Sequence, residues 1–303
     1  MKFNKPALTF EQQADLLISR GLGGDRDLII DRLSMVSYYR LSGYWYTFRK
    51  PDPNSPDQRL DGFQVGTEFD TIWYRYVFDR HLRLLMMDAI ERIEIAVRTS
   101  LAFKHAHAHS PFAYADDPKS LVRLNSHDRL KLKNSVNGEY NRSKESFVTH
   151  FKTKYGDSHN DLPVWMAVEI MTFGSMHTMY RGSSQSIRKT IAQTFGVHEN
   201  VFGTWMLTIQ TVRNICAHHS RLWNREIGTK PLIPNKLPEW NTPVQITNNR
   251  MFGVLTICKW SLDRIAPQSS WHQRFKALLA EYPNIPLVSM GFPANWEESP
   301  IWK

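Results

Sequence analysis

The densest group of chemically capable side chains in the sequence is RNICAHHSRLWNR, residues 213–225, where two histidines, three arginines and two asparagines fall within thirteen positions. Histidine, with a reference pKa of about 6.5, exchanges protons near neutrality, and arginine offers a planar fork that grips phosphate oxygens at any physiological pH. Attack of a ribose 2′-hydroxyl on its own phosphodiester needs a base, an acid for the departing 5′-oxygen and a cation for the developing charge, and requires no metal in principle. One histidine supplies a single proton-transfer group per chain, so two chains facing each other would supply both. The apolar segment Phe202 to Ile209 upstream predicts a helix over about 198 to 222. On that helix Asn214, His218, Arg221 and Arg225 share a stripe at i, i+4, i+7 and i+11. Arg213 lies about 140° round from His218, within reach of the same ligand only by its length or from a second copy.

The opposing reading of this run is a helix end whose histidines cap carbonyls and whose arginines pair with acids. Other groups carry less. Arg98 and His105, seven positions apart, could make a second half-site, but the apolar residues between them read as packing. His105 and His109 at i, i+4 lack third and fourth metal ligands and read as an exposed, frayed helix end. Cys216 is a small packing residue, and no cofactor or metal site is expected.

The elements that must position the run are helical. Thr9 can cap a helix over Phe10 to Arg20 that stops at Gly21, and Asp25 one over Arg26 to Leu33. The stretch Met35 to Phe48 is dense in aromatics and predicts an apolar face packed on the core, with a base-stacking platform beside Arg40 and Arg49 as the alternative. Pro51 to Pro56 reads as a loop. From Thr67 apolar residues recur every three or four positions, without Pro or Gly, until Pro111, which predicts one helix over about 67 to 105. Its alternating Arg83, Arg92, Arg98 and Asp79, Asp88, Glu94 read as a solvated, ion-paired face. Residues 111 to 160 read as polar and broken, with one or two short helices. Further helices are expected at about 162 to 182, with an interruption at Gly174, and at 184 to 195, 246 to 265 and 271 to 281. No strand system is expected, and the fold class is all-α.

Composition frames these readings. The 303 residues carry 38 Lys+Arg against 29 Asp+Glu, a net charge of +9 that suits a polyanionic partner such as nucleic acid, an anionic membrane surface or an acidic protein. At 42% hydrophobic and 12% aromatic the chain can bury a large core, which excludes wholesale disorder. Two cysteines, Cys216 and Cys258, cannot build a disulfide framework. With no apolar run of signal-peptide or membrane-spanning length, a cytoplasmic protein with no membrane partner is expected.

Arg213-Asn214, three intervening residues and His218 match the Arg, polar, three spaces, His signature of HEPN ribonucleases. With LPVWMAVEIMTFGSM (162–176), VSYYRLSGYWYTFR (36–49) and ERIEIAVRTSL (91–101), the sequence resembles the Abi-type abortive-infection proteins of the AbiD/AbiF kind. Four blocks in order carry far more weight than the short motif. The resemblance implies a HEPN-like helical bundle at 67–228, an N-terminal helical region at 1–62 packed on it, and a connector with C-terminal helices at 229–303. It implies a metal-independent endoribonuclease toxin in antiviral defence, with a composite Arg/His site at a homodimer interface. Arg213 takes the motif arginine, Asn214 the polar position and His218 the catalytic histidine, with His219 a rival at allowed spacing. His219, Arg221, Asn224 and Arg225 are expected in supporting or RNA-binding roles. The expected partners are RNA substrate, a second copy of the chain, and a small RNA or protein inhibitor. The alternative function is a non-catalytic RNA-binding or phage-sensing protein.

Overall fold

The computed structural model describes residues 6–303, and these are all-α apart from one hairpin, with thirteen α-helices making up most of the 63% helical content. The two expected N-terminal helices form where their caps place them. Thr9 and Gln12 exchange side-chain and backbone hydrogen bonds in a capping box that starts α1 (Phe10–Ser19), and Asp25 accepts from Leu28 N–H at the start of α2 (Arg26–Met35). In α3 (Tyr38–Trp45), Leu41, Tyr44 and Trp45 are buried, as a core-facing aromatic run requires.

Where the prolines predict a loop, the chain makes a β-hairpin of β1 (Arg49–Asp52) and β2 (Ser55–Phe63). Each strand pairs only with the other, so both are edges, and an edge tolerates the missing N–H of Pro51. The turn is closed by Asn54 N–H donating to the Asp52 carboxylate.

The long helix is α4 (Phe69–Ala108), forty residues, or about 60 Å. Phe78, Leu82, Met86, Ile90, Ile93, Val97, Leu101 and His105 line its buried side at three- and four-residue steps, and burying each large apolar side chain contributes roughly 1.5–3 kcal/mol. Two expectations for this helix fail. Asp79 and Arg83 are buried, not solvated, and the helix does not fray at His105, which is buried with its Nε2 on the Ser183 hydroxyl at 2.8 Å.

The segment from 111 onward is more ordered than its polarity predicts: α5 (Ala113–Asp116), α6 (Ser126–Arg142) and α7 (Ser146–Tyr155). Asn125 caps α6, and Leu132, Val136 and Tyr140, four residues apart, give it a narrow apolar stripe while Gly138 stays on the open face. Then come α8 (Val164–Ile170), α9 (Phe173–Gly182), α10 (Gln185–Thr194), α11 (Glu199–Ala217), α12 (Met251–Ile265) and α13 (Trp271–Glu281). The break between α8 and α9 falls at Met171 and Thr172, whose hydroxyl caps α9, so Gly174 lies inside a helix.

Helices α3, α8, α11, α12 and α13 all pack on α4. Indole N–H groups lock the C-terminal part to this frame: Trp271 donates to the Leu85 carbonyl at 2.8 Å, Trp260 to Phe195 at 2.9 Å, and Trp205 to Leu232 at 2.9 Å. Among the described residues no helix is long and apolar enough to cross a membrane.

Candidate functional site

The motif run lies at the C-terminal end of α11, and the helix stops earlier than the periodicity predicts. It ends at Ala217, with His218 as the capping residue. Ser220 N–H donates to Ile215 C=O at 2.9 Å and His219 N–H to Cys216 C=O at 3.0 Å, the two bonds of a Schellman turn. His219 occupies the left-handed position that glycine usually takes there, with φ at 55°. Asn224 is left-handed as well, at 49°. Such backbone is uncommon outside glycine, although His and Asn are enriched among the exceptions. The expected helical stripe through Arg221 and Arg225 therefore does not exist, because both residues follow the turn.

A buried carboxylate holds the chain after the turn. Asp79 of α4 accepts from Trp223 N–H at 2.6 Å and Leu222 N–H at 3.1 Å, and also from the Tyr44 hydroxyl at 2.5 Å and the Arg83 guanidinium. Burial raises the Asp79 carboxyl above its ordinary value, and the guanidinium, the hydroxyl and two backbone N–H groups oppose that by favouring the anion. Burial beside this carboxylate also pushes the Tyr44 hydroxyl well up, so it remains a donor. Tyr44 comes from α3, Asp79 and Arg83 from α4, and the two N–H groups from the site loop. The network thus joins three parts of the chain under the histidines.

From this anchor the other residues can be placed. Asn214, His218, His219 and Arg225 are exposed, while Arg213, Arg221 and Asn224 are half-buried. Arg221 folds back over the loop, donating to the carbonyls of Trp223 and Asn224 at 2.9 and 2.8 Å, so part of its role is to shape the loop. The Asn224 side-chain oxygen accepts from Arg250 at 3.0 Å and ties the loop to the C-terminal region. Arg40 of α3 donates to the His219 carbonyl. Cys216 is buried behind the motif, and burial pushes its thiol up to about 12, which leaves it inert at neutral pH.

Arg213 faces elsewhere. It lines a groove of about 480 Å³ between α11 and α4, with Leu84, Asp88, Glu91, Ile95 and Arg98, and its Nε is buried without a partner among the described residues. A single chain therefore leaves Arg213 and His218 on different faces of α11, as the 140° offset requires. Arg98 and His105 are not joined in a second site, since Arg98 is held by Glu94 and the Val168 carbonyl while His105 is turned into the core.

Arg40, Arg221 and Arg225 come together beside the turn, and none of the three has a carboxylate within ion-pairing distance among the described residues. Arg213, on its other face, has none either, and the same holds for arginines elsewhere such as Arg80 and Arg123, so what marks this end is that such cations are grouped beside two exposed histidines. Also among the described residues, no group of three or more His, Cys, Asp or Glu could hold a metal ion.

A family model described as Abi-like protein matches residues 31–224, well over half of the chain. The chain belongs to the Abi-like family. No curated protein and no solved structure matches it. In this Abi-like protein the matched span begins within α2 and stops at Asn224, so it takes in α3, α4, α11 and the Schellman turn, the elements that build the site. Sequence reasoning missed Asp79, Arg83 and Tyr44, and took Arg40 only as one edge of a stacking platform. The available signal was that Asp79 and Arg83 sit among Phe78, Leu82 and Met86, on the apolar side of α4.

Proposed function

We propose that this Abi-like protein is a HEPN-type endoribonuclease of the AbiD/AbiF kind, acting in abortive infection as a toxin on RNA. Family membership supports the defence role. The observation that carries the chemistry is the group of three arginines, Arg40, Arg221 and Arg225, without carboxylate partners among the described residues, near exposed His218. Cations left unneutralised beside a proton-transfer group suit a phosphodiester, whose oxygens would complete their hydrogen bonds.

The composite site forms between two chains. Arg213 opens into a groove flanked by Leu84 and Ile95, apolar side chains that are 60% and 53% exposed, so a second copy seated there would cover them. Each chain brings a surplus of nine positive charges. The pair repels itself and attracts RNA, and apolar burial has to offset the repulsion.

In the proposed reaction the His218 imidazole of one chain removes the proton from a ribose 2′-hydroxyl, and the oxygen attacks the adjacent phosphorus. The partner's His218, protonated, gives its proton to the departing 5′-oxygen. Arginine guanidinium groups hold the charge on the non-bridging oxygens. The products are a 2′,3′-cyclic phosphate and a 5′-hydroxyl, and each turnover leaves the two histidines with their protons exchanged.

The test is cleavage of RNA by the purified protein in EDTA, with product ends identified. Cleavage should persist without divalent metal, and His218→Ala should lower the rate by at least about 100-fold, the contribution of one proton-transfer group. Loss of cleavage on chelation overturns the metal-independent mechanism. Retained activity in His218→Ala with loss in His219→Ala transfers the role to His219. Binding of RNA without new ends makes the protein a non-catalytic binder.

A further inference from the structure

The aromatic run of α3 divides into two sets. Tyr38 is turned inward, its ring edge-on to Trp45 at 4.9 Å and its hydroxyl accepting from Arg20 at 3.1 Å. Tyr39 is 80% exposed, and among the described residues its close ring neighbour is Tyr38, edge-on at 6.0 Å. A lone exposed aromatic needs no explanation. The two sides of Tyr39 are what call for one.

On one side lies a basin of about 650 Å³ between α1 and the start of α3. Leu8, Phe10, Leu16 and Tyr38 give it apolar walls, and Gln13 and Ser37 are among its polar groups. Among the described residues the Gln13 side-chain oxygen has no hydrogen-bond partner, although its amide nitrogen donates to the Leu8 carbonyl. An apolar hollow of this size with few polar groups is the usual form of a site for a flat organic group.

On the other side lies the arginine cluster. Gly43, one turn along α3 from Tyr39, faces Arg221 so closely that a Cβ there would lie 3.4 Å from its Cδ and Nε. Arg40, next to Tyr39, is the residue that donates to the His219 carbonyl. Tyr39 therefore stands on the ridge between the basin and the unpaired guanidinium groups beside His218.

We propose that this basin is a nucleobase subsite, in which a base of single-stranded RNA next to the cleaved phosphate stacks on Tyr39 and enters between α1 and α3. The inference rests on the ribonuclease reading for its ligand. Charge selects that ligand over an apolar peptide, because any chain entering the basin from the site passes arginines that lack anions. Stacking on an aromatic side chain tolerates all four bases and works on unpaired strands. It would place the strand by its bases as well as by its phosphates.

The test uses the full-length protein and RNA oligonucleotides made non-cleavable by 2′-O-methyl substitution at every position, scanned with single abasic residues. Tyr39→Ala should weaken binding roughly 5- to 100-fold, the range for loss of one stacked base, while Tyr39→Phe retains it. One abasic position should cost the wild type a similar factor and cost Tyr39→Ala little more. Equal binding by Tyr39→Ala and wild type, or additive losses at every abasic position, overturns the subsite. The probe is independent of cleavage, so the two readings can fail separately. A Tyr39-dependent base effect without any new RNA ends keeps the subsite and removes the nuclease. Cleavage of ordinary RNA with unchanged binding by Tyr39→Ala does the reverse.

Discussion

The polar interior along α4 and the open turn after α11 use the same side chains to opposite ends. Inside, Arg83 is buried against Asp79, and His105 is buried against Ser183. At the turn, Arg221 and Arg225 have no ion-paired acid among the described residues, and His218 is exposed. Residue type does not separate these groups, since both regions carry arginine and histidine on or beside helices. The difference is neutralisation: a buried charge is tolerated only when paired and hydrogen-bonded, whereas a half-exposed arginine can wait for an anion from outside. The first region fixes where the backbone goes, and the second is free to bind.

The sharpest way to break this contrast is to remove the acid that makes the first region neutral. Asp79→Ala leaves Arg83 and the N–H groups of Leu222 and Trp223 without their acceptor, so unfolding stability should fall by about 3–5 kcal/mol in a urea titration. Asp79→Asn should fall between the two, because its amide oxygen can still accept from the loop while the charge is gone. Wild-type stability for Asp79→Ala would mean that the loop is held by something else, and Arg83 would then belong with the unpaired arginines.

That same contrast explains which features were legible in the sequence. The caps at Thr9 and Asp25 and the three-to-four spacing of α4 are local signals, and the structure follows them. The end of α11 is invisible to the same rules because no Gly or Pro marks it. His219 takes the glycine position of the Schellman turn, and the periodicity of the following residues mimics a further helical stripe. Asp79 and Arg83 at i, i+4 look like a surface pair until tertiary structure brings Leu222 and Trp223, more than 140 residues away, onto the carboxylate. The residues proposed for the site could be named from the sequence alone, since a short motif of polar residues is read without reference to packing. What positions them could not.

A smaller effect concerns the histidine of the first region. Ser183 donates its hydroxyl proton to Met179 C=O at 2.7 Å, so His105 Nε2 must carry the hydrogen that reaches Ser183, and Nδ1 is left bare and without a partner. Burial, with His109 nearby, lowers its pKa from 6.5 to about 4, so the folded state holds it neutral while the unfolded chain protonates near 6.5. The unfolded state then binds more protons between these values, and stability falls with pH. The loss begins near pH 6.5 and is complete below about 4, at about 3 kcal/mol by 1.36 kcal/mol per unit. Thermal unfolding of wild type and His105→Gln across pH 8 to 4 checks this: the gap between them should narrow on acidification. A constant gap would place His105 with the solvated histidines of the turn.

The smallest effect tests the second region alone. Arg225 is exposed, and its one hydrogen bond, to the Arg221 carbonyl, is long at 3.4 Å. Arg225→Ala should therefore leave stability within about 0.5 kcal/mol of wild type, as surface substitutions usually do. Arg142 is a matched control, exposed as well but paired with Glu139. If unpaired arginines wait for phosphates, each one that meets the strand releases counterions when RNA binds. Plots of log affinity against log salt for a non-cleavable single strand should then flatten by about 0.7 in Arg225→Ala. Arg142→Ala should keep the wild-type slope, because its charge is already met within the protein. Equal slopes for all three proteins would show that the missing carboxylates near His218 do not mark where RNA binds, and the comparison between the two regions would reduce to one of burial.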